Sequence, residues 1–417
     1  MKRFVLKMLK GNEKEYLLMI SVLSLIVSFL YVFLSLYDVM SIISGEFSVF
    51  NMRIDMINFI ALGLSIITII IVNHYFIEER TQEYALLLLT GRGMKDIVFY
   101  ILMQFGSILM IAFIIGGLFG ALWIILLNVF YQFIQIDFVL AQPFIGFYIL
   151  MFIVCVIIVL ATNIARFNKI EININDYLRN KVYTSSHVPP KKTKEYGLFS
   201  ILGALCILNS YNLTLENETS ISSIVSFIGV IAGIMLLATS VIPFIYYTFH
   251  RSIVLKGKNI MFIFNGFMEL ISTLQFSFIL DCLMIPILLI SILTLDINSL
   301  KYVMITCYIF VLVMIMICFI LQLNLYSKGL SFKINTLKSL GYKKNNVRTI
   351  QFVQIMMFLL VVLLPLIAFS HLLIRGYNQG VIDIWMLGLV IGSYICIYLF
   401  ICIYMGIKFN SIIKEAY

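Results

Sequence analysis

From Val98 to Asn128 the sequence reads VFYILMQFGSILMIAFIIGGLFGALWIILLN, an apolar stretch that contains no charged side chain. About 20 helical residues cross the hydrocarbon core of a bilayer, so this stretch is long enough to span a membrane. It is continuously apolar and does not alternate with a period of two, which favours a helix over a barrel strand. The stretch therefore predicts a transmembrane helix in an all-α fold.

The composition of the whole chain agrees with a membrane protein. Hydrophobic residues make up 62% of it, charged residues 12%, and the mean hydropathy is +1.07. Soluble domains are about half apolar and about a quarter charged, so they are excluded. Apolar runs predict a polytopic protein with about ten transmembrane helices. The candidate spans are 16–37, 56–76, 98–128, 144–165, 197–211, 221–249, 274–295, 301–326, 349–374 and 384–408.

Basic residues predict the orientation of these spans. With the N-terminus in the cytoplasm, 26 of the 29 Lys and Arg residues lie on the cytoplasmic side. The outer side keeps only Arg53, Lys301 and Arg375. Positive charge gathers on the cytoplasmic side of membrane proteins, so both termini are predicted to be cytoplasmic. The first apolar run begins near Tyr16 and has no small-residue cleavage site, so it is interpreted as a span and not a signal peptide.

Catalytic and metal-binding motifs were sought and none was found. The sequence has no P-loop, no GxSxG and no HExxH, and its four histidines do not pair at ligand spacing. The seven cysteines lie in apolar runs without a CxxC pair, which predicts buried small hydrophobic residues. We therefore expect a non-enzymatic chain without a cofactor or metal of its own.

An internal repeat relates two parts of the chain at an offset of 250 residues. Gly91 then falls on Gly341, Ile97 on Val347 and Gln104 on Gln354. Spans two and three overlay spans eight and nine, and span four approximately overlays span ten. This predicts a duplicated three-helix unit with a cytoplasmic amphipathic helix between its first two spans.

The two cytoplasmic segments of the repeat are the candidate functional sites, and we call them the first and second coupling segments. Each has polar and apolar residues at helical spacing, followed by a glycine. The glycine marks the predicted end of the helix, because glycine adopts the left-handed conformation at little cost. A single copy would suggest only an interfacial helix, whereas two copies suggest docking points for a two-fold partner. The candidate residues are Arg80, Glu83, Leu87, Gly91, Arg92, Lys95, Leu340, Gly341, Tyr342, Lys343 and Lys344.

On these residues the chain resembles the FtsX-like permeases of the type VII ABC superfamily, which includes MacB and the lipoprotein-releasing permeases. Arg80-x-x-Glu83 followed by a hydrophobic run and Gly91 is similar to the coupling segment of that family. The order of spans, with Pro365 and His371 in span nine, is similar to the bacitracin-export (Bce-type) permeases. One feature departs from them: the loop at 296–300 and the loop at 38–55 are too short for a large extracellular domain.

The resemblance implies a function and partners. One permease would work with two copies of a cytoplasmic ABC ATPase, which would hold the Mg-ATP. Membrane lipid, and in the Bce type a sensor histidine kinase, would be further partners. The implied role is removal or export of an amphiphile such as an antimicrobial peptide from a Gram-positive cell membrane. Two alternatives stay open: an FtsX-like signalling subunit that transports nothing, and an ion-driven secondary transporter.

Asp281 is the candidate polar group inside the membrane. Ionisable residues cost about 2.5–3.5 kcal/mol in the middle of a transmembrane helix, so they often have a function. The alternative is a solvated or bonded group near the inner interface. A secondary transporter would need several such charges, and only Asp281 and Glu269 qualify.

Three small-residue patterns allow helices to approach closely. Gly116-xxx-Gly120, Gly229-xxx-Gly233 and Gly388-xxx-Gly392 predict close helix packing.

The spans and loops also predict how the chain is divided. The predicted divisions are 1–55 (tail, first span and outer loop), 56–166 (first FtsX-like repeat), 167–196 (cytoplasmic linker), 197–273 (two spans), 274–300 (seventh span and short outer loop) and 301–417 (second FtsX-like repeat).

Overall fold

The computed structural model describes most residues of predicted spans one to four and eight to ten, and some of the residues between them. Its first unit is Met1–Val182 and its second is Tyr183–Tyr417. The described residues are 13–43, 49–80, 83–84, 87, 93–133, 140–170, 196–203, 205, 233, 236, 240, 262–263, 265–267, 269–274, 277–278, 280–281, 298–378, 380 and 382–417.

Seven long helices carry the fold in the described part of the chain. All seven are long and apolar enough to cross a membrane, which confirms an all-α polytopic membrane protein. They correspond to predicted spans one to four and eight to ten. Most of the predicted spans 197–211, 221–249 and 274–295 lies outside the described residues. The helices are α1 Glu13–Ile43, α2 Val49–Glu79, α3 Met94–Phe133, α4 Ile145–Ile170, α5 Asn298–Ser339, α6 Lys344–Asn378 and α7 Ile384–Ala416.

In the first unit, α1 packs closely along α3 because α3 has glycine at the contact. A Cβ atom on Gly116 would lie 2.7 Å from the Cβ of Val27, and one on Gly120 would lie 2.6 Å from the Cβ of Tyr31. No larger residue fits there without a shift of α1. The sequence pattern is therefore a packing motif here. At Gly388 and Gly392 on α7, by contrast, no described atom lies within 4 Å of such a Cβ.

In the second unit, aromatic side chains and hydrogen bonds join α7 to α5 and α6. Tyr398 packs edge-on against Phe319 of α5, with ring centroids 5.9 Å apart. Tyr404 donates a hydrogen bond of 2.7 Å to Oδ1 of Asn324, also on α5. Such hydrogen bonds between helices stabilise contacts that a bilayer does not drive by hydrophobic burial.

The outer faces of the helices are apolar, as lipid requires. Leu118, Leu122 and Leu126 follow each other at four-residue spacing on α3, and each is more than half exposed. A stripe of this kind would be an unstable surface in water, whereas a bilayer solvates it. Cys155, Cys307 and Cys318 are buried as predicted, but Cys396 is exposed on α7. The prediction of burial was wrong for Cys396, because a cysteine in an apolar run can equally face lipid.

The largest difference from the predicted boundaries lies at the end of span eight. Span eight was predicted to end at 326, before a separate cytoplasmic helix, but α5 runs unbroken to Ser339. At 1.5 Å per residue its 42 residues extend about 63 Å, roughly twice the hydrocarbon thickness. In the first repeat, α2 ends at Glu79 and Arg80 lies in a turn. The position equivalent to Arg80 is Leu330, an apolar residue that is buried without interrupting its helix.

Candidate functional site

The first coupling segment begins with a buried arginine. Arg80 is only 3% exposed, and its guanidinium lies over the rings of Tyr16 and Phe76, 4.1 Å and 4.9 Å from their centroids. It donates a hydrogen bond to the Tyr16 hydroxyl and lies 3.7 Å from the carboxylate of Glu83. Stacked and paired in this way, a guanidinium loses little by leaving water. Arg80 therefore connects the first coupling segment to α1 through a buried contact.

Gln104 connects the same cluster to α3. Its Nε2 atom donates to the hydroxyl oxygens of Tyr16 at 3.1 Å and Tyr100 at 2.7 Å. In the sequence, Gln104 is only a register mark of the repeat. Tyr16 was not predicted, because it meets Gln104 through the packing of helices 88 positions apart. Tyr100 was not predicted either, although it lies one helical turn before Gln104 on α3, a spacing that the sequence shows.

Two further described residues of the first coupling segment, Tyr84 and Leu87, belong to an apolar cluster. Tyr84 is buried with Ile97, Tyr100 and neighbouring residues, and Leu87 packs against them. Burial raises the pKa of the Tyr84 phenol well above its usual value, so this side chain stays neutral at physiological pH. Gly91 and Arg92 lie outside the described residues. Lys95 lies in the first turn of α3.

The second coupling segment ends its helix with a glycine, as the sequence predicts. Gly341 has a φ of +82°, a left-handed conformation that other residues adopt at a cost. Its N–H donates to the carbonyl of Lys338 at 2.9 Å, and the N–H of Tyr342 donates to that of Leu337 at 3.1 Å. These two bonds form a Schellman motif, which turns the chain sharply at the end of α5.

The tip beyond this turn presents one apolar and several basic side chains. Leu340 is 63% exposed and Lys343 is exposed beside it, whereas Lys344 is half-buried at the start of α6. Tyr342 packs edge-on against Phe262, and its carbonyl accepts a hydrogen bond of 2.6 Å from the Tyr417 hydroxyl. The tip is thus held from both sides while Leu340 stays uncovered by the described residues.

The backbone after each coupling segment follows the same pattern at the predicted offset. In the first repeat the N–H groups of Asp96 and Ile97 point to the carbonyl of Gly93, at 3.0 Å and 3.4 Å. In the second, those of Asn346 and Val347 point to the carbonyl of Lys343, at 3.0 Å and 3.2 Å. Each position is 250 residues from its counterpart, and α3 and α6 begin at equivalent residues, 94 and 344.

The repeat also extends to the helix before each three-helix unit. Tyr16 is equivalent to Gly266, and both lie against the buried glutamine of their repeat. A Cβ on Gly266 would collide with Nε2 of Gln354, which donates instead to the carbonyls of Phe262 and Ile263, both at 3.3 Å. Gly266 leaves room for Gln354 to bind backbone carbonyls, whereas Gln104 in the first unit binds the Tyr16 hydroxyl.

Asp281 lies in the interior of the second unit and is fully buried. The Tyr394 hydroxyl donates a hydrogen bond of 2.6 Å to the carbonyl of Val362 and lies 3.2 Å from Oδ2 of Asp281. Tyr398 packs on Tyr394 with ring centroids 4.6 Å apart. Asp281 is therefore a buried polar contact with α7, and its function stays a prediction.

Glu269, the other candidate intramembrane charge, pairs with Lys333 of α5, and both side chains are partly exposed. No group of three or more His, Cys, Asp or Glu in the described part of the chain could hold a metal ion. The arrangement offers contacts between helices and exposed side chains at the coupling segments.

Comparison with known proteins gives one match. Residues 55–172 match the family FtsX-like permease C-terminal. The matched region holds α2, the first coupling segment, α3 and α4. No curated protein matches the chain significantly.

Proposed function

We propose that this chain, whose residues 55–172 match an FtsX-like permease, works as one copy with two copies of an ABC ATPase. Members of this family are non-catalytic membrane subunits of ABC transporters and generally partner with ATPase subunits. The observation that carries the proposal is the duplicated coupling segment, with matching backbone bonds at Gly93 and Lys343. Two docking points in one chain suit two identical ATPase subunits.

The substrate we propose is an amphiphile met at the membrane surface or within the bilayer, such as an antimicrobial peptide or a lipid-bound compound. Short connections support this: α6 ends at Asn378 and α7 begins at Ile384, and the predicted outer loop at 296–300 is shorter still. Such loops are too short to fold into a binding domain, so recognition falls to helix ends and lipid-facing surfaces. A role like that of the Bce-type permeases, with a sensor kinase as further partner, fits this arrangement.

The mechanism we propose is helix movement driven by the ATPase. The ATPase would hydrolyse Mg-ATP and displace the two coupling segments, and the attached helices would act on the substrate without threading it through a pore. Leu340 is the apolar contact that the second segment offers, because it is largely exposed at a braced turn. Burial of one leucine side chain contributes about 1.5–3 kcal/mol.

The test uses the permease co-expressed with its ATPase. Leu340→Asp should reduce the amount of ATPase that co-purifies and the ATP hydrolysis that a cationic amphiphilic peptide stimulates. Ile384→Asp is the matched control, since Ile384 is 64% exposed but lies at the start of α7. Equal co-purification with both variants would contradict docking through Leu340. Stimulated hydrolysis without release of the peptide from vesicles would favour the signalling alternative.

A further inference from the structure

In each unit a polar contact joins the coupling segment, or the helix that leads into it, to an earlier part of the same unit. In the first unit, Arg80 donates to the hydroxyl of Tyr16 near the start of α1. In the second unit, the ammonium of Lys333 pairs with the carboxylate of Glu269, at the start of the helical residues 269–274. We call these contacts the first joint and the second joint.

The two joints occupy neighbouring places in the repeat. Shifted by 250 residues, Arg80 and Tyr16 fall on positions 330 and 266, which are Leu330 and Gly266. Lys333 and Glu269 each lie three residues further, which is about one helical turn. The sequence equivalent of Glu83 is Lys333, so the second unit has a basic residue where the first has an acid. Both units therefore have a polar contact at this place in the repeat, but different residue types form it.

The first joint fastens the coupling segment to two helices at once. The Tyr16 hydroxyl also accepts a hydrogen bond of 3.1 Å from Gln104 of α3. Further along, Gly116 and Gly120 of α3 lie against α1 so closely that a methyl group would not fit. A displacement of Arg80 must therefore either break the bond to Tyr16 or move α1 and α3 together.

The second joint lies beside open space. A cavity of about 400 Å³ is lined by Glu269, Lys333, Tyr326, Gln351 and other described residues. The Tyr326 hydroxyl donates a hydrogen bond of 3.3 Å to the carbonyl of Gly266. The ion pair therefore joins α5 to the helical residues 269–274 beside this cavity.

We infer that Tyr16 and Glu269 are positioning residues that transmit the motion of the two coupling segments to α1 and to the helical residues 269–274. This inference rests on the proposed function, because it assumes that an ATPase displaces the segments. Variants of these residues should still assemble with the ATPase and hydrolyse ATP, but their transmembrane helices should no longer move when ATP is added.

The second joint is tested by exchange of its charges. Glu269→Lys or Lys333→Glu alone should abolish the ATP-dependent movement, and the double exchange should restore it. Movement is measured as the change in distance between spin labels at Thr273 and Leu399, with ATP and vanadate added to the cysteine-free complex. Hydrolysis without added peptide and co-purification of the ATPase are measured on the same samples.

The first joint is tested by removal of a single hydroxyl. Tyr16→Phe keeps the ring beneath Arg80 and removes the acceptor for two hydrogen bonds, so the shift between labels at Leu25 and Ile157 should decrease. Tyr148→Phe is the matched control, because Tyr148 donates to a backbone carbonyl on α3, that of Phe113, at 2.5 Å.

The outcomes separate the joints from the proposed function. Normal assembly and hydrolysis with a lost shift, restored by the double exchange, supports the joints. A normal shift in the single variants overturns them, and so does failure of the exchanged pair to restore the shift. If the variants lose the ATPase instead of the shift, the residues serve docking and the inference is wrong. If no ATPase binds even the unaltered permease, the proposed function itself fails.

Discussion

The Tyr394 hydroxyl on α7 lies 3.2 Å from Oδ2 of Asp281, a residue 113 positions earlier in the chain. The same hydroxyl lies 2.6 Å from the carbonyl oxygen of Val362 on α6. One phenol therefore joins three segments of the second unit around a buried carboxyl group. A group of this kind needs its hydrogen bond, because no water in the hydrocarbon core replaces it.

This contact predicts a measurable coupling between the two residues. In a double-mutant cycle, Asp281→Leu and Tyr394→Phe should interact by about 0.6 kcal/mol and at most about 1.7 kcal/mol, the average and the maximum found for hydrogen bonds between helices in a membrane protein. The measurement is unfolding in mixed detergent. Tyr404→Phe serves as control because the Tyr404 hydroxyl binds Asn324. It should be additive with Asp281→Leu, and additivity of Tyr394→Phe as well would contradict the contact.

The function of Asp281 is tested separately from its stability. Asp281→Asn keeps hydrogen bonding and loses the charge, whereas Asp281→Leu loses both. We expect transport activity to decrease in both variants, more in Asp281→Leu, at near-normal abundance in the membrane. Activity equal to that of the unaltered protein in both would remove Asp281 from the mechanism.

Close packing of α1 on α3 predicts a position-specific cost of adding a methyl group. Gly120→Ala should lower the free energy of unfolding by about 1–3 kcal/mol, because the new Cβ would overlap Tyr31. Gly106→Ala lies on the same helix with no described atom within 4 Å, so it should be neutral or stabilising. Thermal unfolding in detergent compares the two. Equal losses would show that helix propensity, not packing, governs α3.

The turn at the second coupling segment predicts that its glycine is needed for coupling. Gly341→Pro replaces a φ of +82° by one near −65° and removes the N–H that binds the carbonyl of Lys338. We expect inserted permease whose bound ATPase is no longer stimulated by peptide, and the same for Gly91→Pro. Gly380→Ala is the control, since Gly380 also has a positive φ but lies between α6 and α7. Normal stimulation in the double Gly91→Pro, Gly341→Pro variant would contradict the assignment of the coupling segments.

Orientation in the membrane is still a prediction from the basic residues. A cysteine at Asn298 should react with an impermeant thiol reagent added outside, whereas one at Lys192 should react only from the cytoplasmic side. The reason is that positive charge is retained on the cytoplasmic side. Reversed labelling would overturn the topology and, with it, the access of an ATPase to the coupling segments.

The features that the sequence predicted correctly are those determined by local composition and by the repeat. Apolar length indicated the spans, and the offset between Gly91 and Gly341 indicated the repeat and the helix end that Gly341 forms. It did not predict that Arg80 is buried against Tyr16, since those residues are 64 positions apart and meet only through packing. An arginine in a polar stripe looks the same in a sequence whether it faces a partner or an aromatic cluster.

The central claim is that one permease holds two ATPase subunits, and the most direct test is native mass spectrometry of the complex. The affinity-tagged permease is purified with its ATPase from membranes in the presence of ATP and vanadate. The account predicts a mass equal to one permease plus two ATPase subunits, reduced by at least one subunit in Leu340→Asp. A permease that purifies alone, or with one ATPase whose binding Leu340→Asp leaves unchanged, would contradict it.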